Sequence, residues 1–276
     1  AVSLLGRVVG TGGDGGSLCV SADWPRNGVR AHSDRLPLTL LQPWLPQQDG
    51  RQLSPRGDLT LEANLKPQAN AWQGQVHIAS MEGGLKMGKN SRGELVRYDH
   101  FSIDVDMAPQ KIHGRLGVGF AGNGFIDATF DTGWDSYAPL TGNIYLYNDR
   151  LFWLELFSPD LVRPQGKLKG HIGLAGTRGA PLLSGEADLS DFTGDLPALG
   201  ITLVQGNAQL TALSDGTAQI KGSMKSQSAT GGGTSGGALS IDGSLGWQGG
   251  DEPLLFHVRG DNFLASDLSL IHISEP

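Results

Sequence analysis

The sequence predicts an all-β protein built as an elongated, curved antiparallel sheet, with one or two very short helices. Three observations carry that prediction: strict apolar/polar alternation in many short runs, turn dipeptides between them, and glycine spread through the strands themselves. Alternation places one parity of each run on an apolar face and the other in water. Glycine contributes 42 of 276 residues, about twice ordinary usage, with no collagen-like period of three.

The alternation is clearest in Gly57–Lys66, where Leu59, Leu61, Ala63 and Leu65 oppose Thr60, Glu62, Asn64 and Lys66. Leu18, Val20, Ala22 and Trp24 repeat it, as do Phe101, Ile103, Val105 and Met107. Leu168, Ile172 and Leu174 follow, then Leu183, Ala187 and Leu189, then Ala218, Ile220 and Met224. Leu239, Ile241, Leu245 and Trp247 close the series. Turns are expected at Asn27-Gly28, Gly83-Gly84, Asn123-Gly124 and Asp215-Gly216. Pro37–Leu45 and Leu151–Phe157 hold Leu, Trp and Phe too densely to alternate, so each is expected to make one or two helical turns.

Each dense segment precedes a proline-glycine strand opener, Pro55-Arg56-Gly57 and Pro164-Gln165-Gly166, spaced 109 residues apart. That spacing suggests two repeats, roughly 17–150 and 151–267, in one sheet continuing along an axis. Gly170, Gly185, Gly222 and Gly243 share the apolar parity, where a missing side chain lets a sheet bend. A closed sandwich with an ordinary core is the competing architecture.

Several functions are disfavoured. The net charge is −7 and no segment concentrates Lys or Arg, so no nucleic-acid partner is expected. Cys19 is alone, and His32, His77, His100, His113, His171, His257 and His272 are scattered, so no metal, cofactor or disulfide framework is expected. No apolar run is long enough to span a bilayer, and no signal peptide opens the chain, as for a fragment lacking both natural ends.

Gly117–Gly122 matches G-x-G-x-x-G, but Leu116, Val118 and Phe120 alternate through it and no helix follows. It reads as a hairpin. Gly233–Gly237 matches G-x-S-x-G inside the small-residue run Ala229–Gly237 and reads as a hairpin loop. The pairs Asp104/Asp106 and Glu186/Asp188 stand side by side on a wet face. Thr11–Gly16 is a single calcium-roll-like phrase, and such repeats act in tandem. No catalytic residue is expected, and the chain is read as a non-enzyme.

Pro164–Trp247 resembles the TamB family of translocation and assembly module subunits, in the AsmA-like superfamily. The resemblance lies in Pro164–Gly170, Leu174–Thr177, Pro181–Ala187, Leu196–Leu203, Gly231–Gly243 and Val258–Phe263, in that order; residues 17–66 resemble an earlier piece. It implies a U-shaped apolar β-groove, a β-taco, in the periplasm of a Gram-negative bacterium. It also implies an inner-membrane anchor through an N-terminal helix not in this chain, and an outer-membrane BamA-like barrel (TamA-like) as partner. Leu268–Pro276 departs from the family pattern and is expected to be a non-native tail.

The expected function is carriage or shielding of phospholipid between inner and outer membranes in support of outer-membrane biogenesis. An open apolar face needs something to fill it, and acyl chains would do so without directional contacts. The expected groove lining is Leu59, Leu61, Leu65, Ile103, Val105, Leu168, Ile172, Leu174, Leu183, Leu189, Ile220, Leu239, Ile241 and Leu245. The alternative is a scaffold that assists outer-membrane β-barrel or autotransporter assembly by strand addition. An enzyme or adhesin on a β-solenoid would need a convergent polar cluster, which the sequence lacks.

Overall fold

The computed structural model describes residues 2–8, 16–23, 28–45, 47–48, 51–87, 93–156, 158, 160–229, 235–246 and 254–267. The expected tail, residues 268–276, lies outside them, as do Thr11–Gly15 and residues 230–234 of the small-residue loop. Strands dominate, and they hydrogen-bond in antiparallel fashion throughout the described pairings. The chain divides into two compact units, 1–147 with 170–184, and 148–169 with 185–276.

The first unit contains β1 (Val2–Val8), β2 (Gly16–Asp23), β3 (Gly28–Pro37), β4 (Gln47–Gln48), β5 (Arg51–Gln68) and β6 (Ala71–Ser80). It continues through β7 (Gly83–Met87), β8 (Val96–Ala108), β9 (Lys111–Phe120), β10 (Gly124–Thr132) and most of β11 (Thr141–Arg150). Strands β12 (Val162–Thr177) and β13 (Ala180–Leu196) each pass through both units, and the second unit adds β14 (Ile201–Leu213), β15 (Thr217–Ser228), β16 (Ser235–Gly246) and β17 (Leu254–Asp261).

Within the described residues every alternating run named above lies in a strand, because period two is the only way those leucines share a face; Trp24, Asn27 and Trp247 lie outside the described residues. The two dense segments form the 3-10 helices Leu38–Trp44 and Phe152–Leu156. A third such turn, Pro197–Leu199, begins at the proline after Leu196 and is closed by Gly200 in the left-handed region. The expected turn at Gly83-Gly84 is corrected. Both glycines pair within β7, opposite Gly57 and Arg56, and Met81-Glu82 makes the bend instead. Their small size is used for close approach: Cβ on Gly83 would strike the Tyr98 ring.

Both proline-glycine openers have the same local geometry. Pro55 and Pro164 are buried, and Gly57 and Gly166 follow at φ +120° and +146°. Only glycine adopts those angles without strain. Gly117–Gly122 runs along β9 into the turn before β10, with Gly124 paired to Phe120, so it is a hairpin.

In the second unit the core is small and local. Leu151, Leu161 and Phe192 are buried together, and Trp153, Leu154, Leu168, Leu189, Leu196 and Leu203 pack against them. The Phe152–Leu156 helix thus caps one end of the strands. The cap coincides with register shifts between Leu189 and Gly194 in β13, Val204 and Asn207 in β14, and Lys225 and Gln227 in β15. Asp191 and Gln205 sit at φ +53° inside two of these bulges. The extra residues fall on β13, β14 and β16, and a bulge bends the strand that carries it and increases its local twist.

Candidate functional site

Cross-strand register assembles the apolar face of the first unit. Leu61 of β5 lies opposite Ile78, which lies opposite Ile103, then Leu116, then Ala128. The next row is Ala31, Ala63, Val76, Val105, Gly114 and Phe130. A third row holds Val29, Leu65, Gly74, Met107, Ile112 and Thr132. No charged residue occupies these rows. Most of their side chains are neither buried nor exposed, less enclosed than a packed core, while Ile112, Gly114 and Thr132 are buried.

The second unit repeats the arrangement. Ala187, Leu210, Ile220, Gly243 and Phe256 form one row, and Leu189, Ala208, Gly222, Ile241 and Val258 another. At β17 the row opens to solvent, with Phe256 48% and Val258 58% exposed.

The expected lining residues separate into groups. Leu61 and Leu65 lie on β5, and Ile103 and Val105 on β8, in the shared rows of the first unit, while Leu59 lies on β5 beyond them, opposite Leu36. Ile172, Leu174 and Leu183 also belong to that unit, on its segments of β12 and β13. Ile220, Ile241 and Leu245 share the face of the second unit, and Leu239 lies opposite Met224. Leu168 and Leu189 instead pack beside the Leu151–Phe192 core, at the margin of that face. The expected lining did not include Val76, Ile78, Leu116 or Phe130. Gly74 interrupts the alternation of β6, and only pairing to Leu61 and Ala63 shows that Val76 and Ile78 belong with them.

The opposite face is polar and cross-linked. His32, Glu62, His77, Asp104 and Arg115 form one row, Asn64, Gln75, Asp106, His113 and Asp131 the next. His77 Nδ1 lies 2.5 Å from Asp104 Oδ1, and Gln75 Nε2 donates to Asp106 Oδ1 at 2.8 Å. Lys111 Nζ and His113 Nδ1 both reach Asp131 Oδ1, at 2.8 and 2.9 Å. Asp104 and Asp106 therefore serve as cross-strand partners, each on a wet face. At one edge Arg56 Nε donates to Glu94 Oε1 at 2.8 Å, and this bond holds the Glu94 carboxyl below its ordinary pKa. Cys19 is exposed. Among the described residues no three His, Cys, Asp or Glu side chains are grouped to hold a metal, and no helix is long and apolar enough to cross a membrane.

Hydrogen bonds from Lys111, then His113, lower the pKa of Asp131. A depressed carboxylate stabilises the fold above its unfolded pKa of about 3.9, and the benefit is lost as pH falls through the folded value. Asp131 is 40% exposed, so the effect is screened and amounts to about 0.2–1 kcal/mol. Acid titration of the melting temperature should show Asp131→Asn with a flatter limb below about pH 4 and no difference near neutrality beyond that small offset.

A family model described as TamB, N-terminal domain, matches residues 13–189. No curated protein matches the chain, and no solved structure does.

Proposed function

Starting from a chain that belongs to the TamB family, we propose that its apolar face carries or shields phospholipid acyl chains between the inner and outer membranes. The family acts in envelope protein assembly or lipid transport and is non-enzymatic. The finer reading rests on one observation: among the described residues, rows of Leu, Ile, Val and Ala run across many strands without a charged side chain, and most of them stay only partly buried. Leaving that surface in water is costly, and acyl chains fill it at about 0.8 kcal/mol per buried methylene. Non-directional contacts also let a ligand slide. The curvature of such a sheet into a U-shaped groove, spanning residues 1–267 as two repeats, belongs to the same proposal.

The setting proposed is the periplasm of a Gram-negative bacterium, since the family is one of the Gram-negative envelope. An inner-membrane anchor outside this chain would hold the protein, and an outer-membrane TamA-like barrel would receive it, as family members work with such a partner in general terms. Native mass spectrometry of the chain, purified without detergent from a Gram-negative host, should show bound phospholipid. A lipid-free chain that instead captures an unfolded outer-membrane β-barrel would overturn this reading in favour of the assembly scaffold.

A further inference from the structure

The second row of the first unit differs from its neighbours in bulk. Val20, Ala31, Ala63, Val76, Val105 and Gly114 lie opposite one another on successive strands, so small side chains follow one line across the sheet. The flanking rows carry Leu61, Ile78, Ile103 and Leu116 on one side, and Leu65, Met107 and Ile112 on the other. A furrow results, crossing six strands over about 24 Å at ordinary strand spacing. It ends at Phe130, which pairs directly with Gly114. The ring lies against that glycine: a Cβ on Gly114 would clash with Phe130 Cε1 and Cζ. On its other side Gly142 approaches so closely that a Cβ there would lie 3.0 Å from Phe130 Cα. The Phe130 ring thus stands against Gly114 at the end of a row of small side chains, and Gly142 approaches the Phe130 backbone from the next strand.

The same face holds two hydroxyls that lack a hydrogen-bond partner among the described residues. Ser33 Oγ lies on β3 beside the furrow's Ala31, and Thr132 Oγ1 lies two residues beyond Phe130. Both side chains are more than nine-tenths buried. An orphaned buried hydroxyl is costly, and an ester or carboxyl oxygen of a fatty chain is a group it could donate to.

We propose that Phe130, lying across Gly114, is the residue that stops an acyl chain running along this furrow, and so sets the chain length the first unit accepts. The inference rests on the lipid-carrying reading. An aromatic side chain over a cross-strand glycine also stabilises sheets by covering bare backbone, so the test must separate the two roles.

The test is competitive binding of straight-chain fatty acids of increasing length to the whole chain. With wild-type protein, affinity should tighten about fourfold per added methylene and then level off where the chain meets the ring. In Phe130→Ala the levelling-off should move to longer acids, by about one strand spacing or 5 Å of chain. Phe130→Leu keeps an aliphatic cover on Gly114, protects the fold, and should fall between. If either variant melts earlier but levels off at the wild-type length, the ring only covers backbone and this proposal fails, while lipid carriage stands. If the wild-type chain binds no fatty acid and carries no phospholipid, both readings fail together.

Discussion

Phe192→Ala should cost the second unit about 3–5 kcal/mol, the loss expected for truncating a buried aromatic side chain. Phe192 is 6% exposed, and its partners Leu151 and Leu161 are buried with it. Its side chain also fills the space above Gly206, where a Cβ would lie 2.9 Å from Phe192 Cβ. Removing the ring therefore leaves a cavity that neither glycine nor the bulged backbone of β13 and β14 can refill. The local nature of this core makes the loss large, because few other buried apolar side chains are available to compensate. Phe256→Ala is the matched control. That ring is 48% exposed, so its loss should cost about 1 kcal/mol or less. Urea titration of the transition that reports the second unit would measure both. Equal effects of the two variants would show that Phe192 is not the centre of a packed core.

Periodicity accounts for the strands and for the faces they present. Leu59 to Leu65 could share a face only in a strand, and Glu62 and Lys66 then had to face water, as they do. The Pro-Gly openers were legible for a similar reason: buried proline followed by a positive-φ glycine is a local requirement of the backbone. The turn at Gly83-Gly84 misleads because a glycine pair serves close strand approach as well as tight turns. Here Tyr98 packs where a Gly83 side chain would be, and Val96 and Glu94 lie where one on Gly84 would be.

Register is the larger gap between sequence and site. Parity tells which residues face one side, but not which strand lies next to which, so the furrow from Val20 to Gly114 has no signature in the chain. Leu168 and Leu189 illustrate the same point. Each alternates like a member of an open face, yet the Phe152–Leu156 helix packs beside them from a separate stretch of sequence. Density of Leu, Trp and Phe in that stretch marked a helical turn. It could not show that the turn would close one end of the second unit.

Replacing Ile241 by Asp should leave the protein folded and strip it of bound phospholipid. Ile241 sits on the apolar face of β16, opposite Gly222 on one side and Val258 on the other. It is only partly buried, and Val258 beside it is 58% exposed. A carboxylate there keeps water when lipid is absent, so the folded state loses little more than the isoleucine contacts, about 1–2 kcal/mol. Burying the same charge among acyl chains is far more costly, so lipid should be excluded from that stretch. Were the face instead a closed core, the charge would be trapped and folding would lose several kcal/mol. Ser240→Asp is the control. Its neighbour across the strands is Arg259 on the polar face, where an added carboxylate should leave both stability and lipid content unchanged within about 0.5 kcal/mol. Melting temperature and lipid-to-protein ratio, measured on both variants, decide between the architectures. A folded Ile241→Asp chain with depleted lipid supports an open lipid face. An unfolded one, beside a wild-type chain that carries no lipid, would show that these rows pack as an ordinary core.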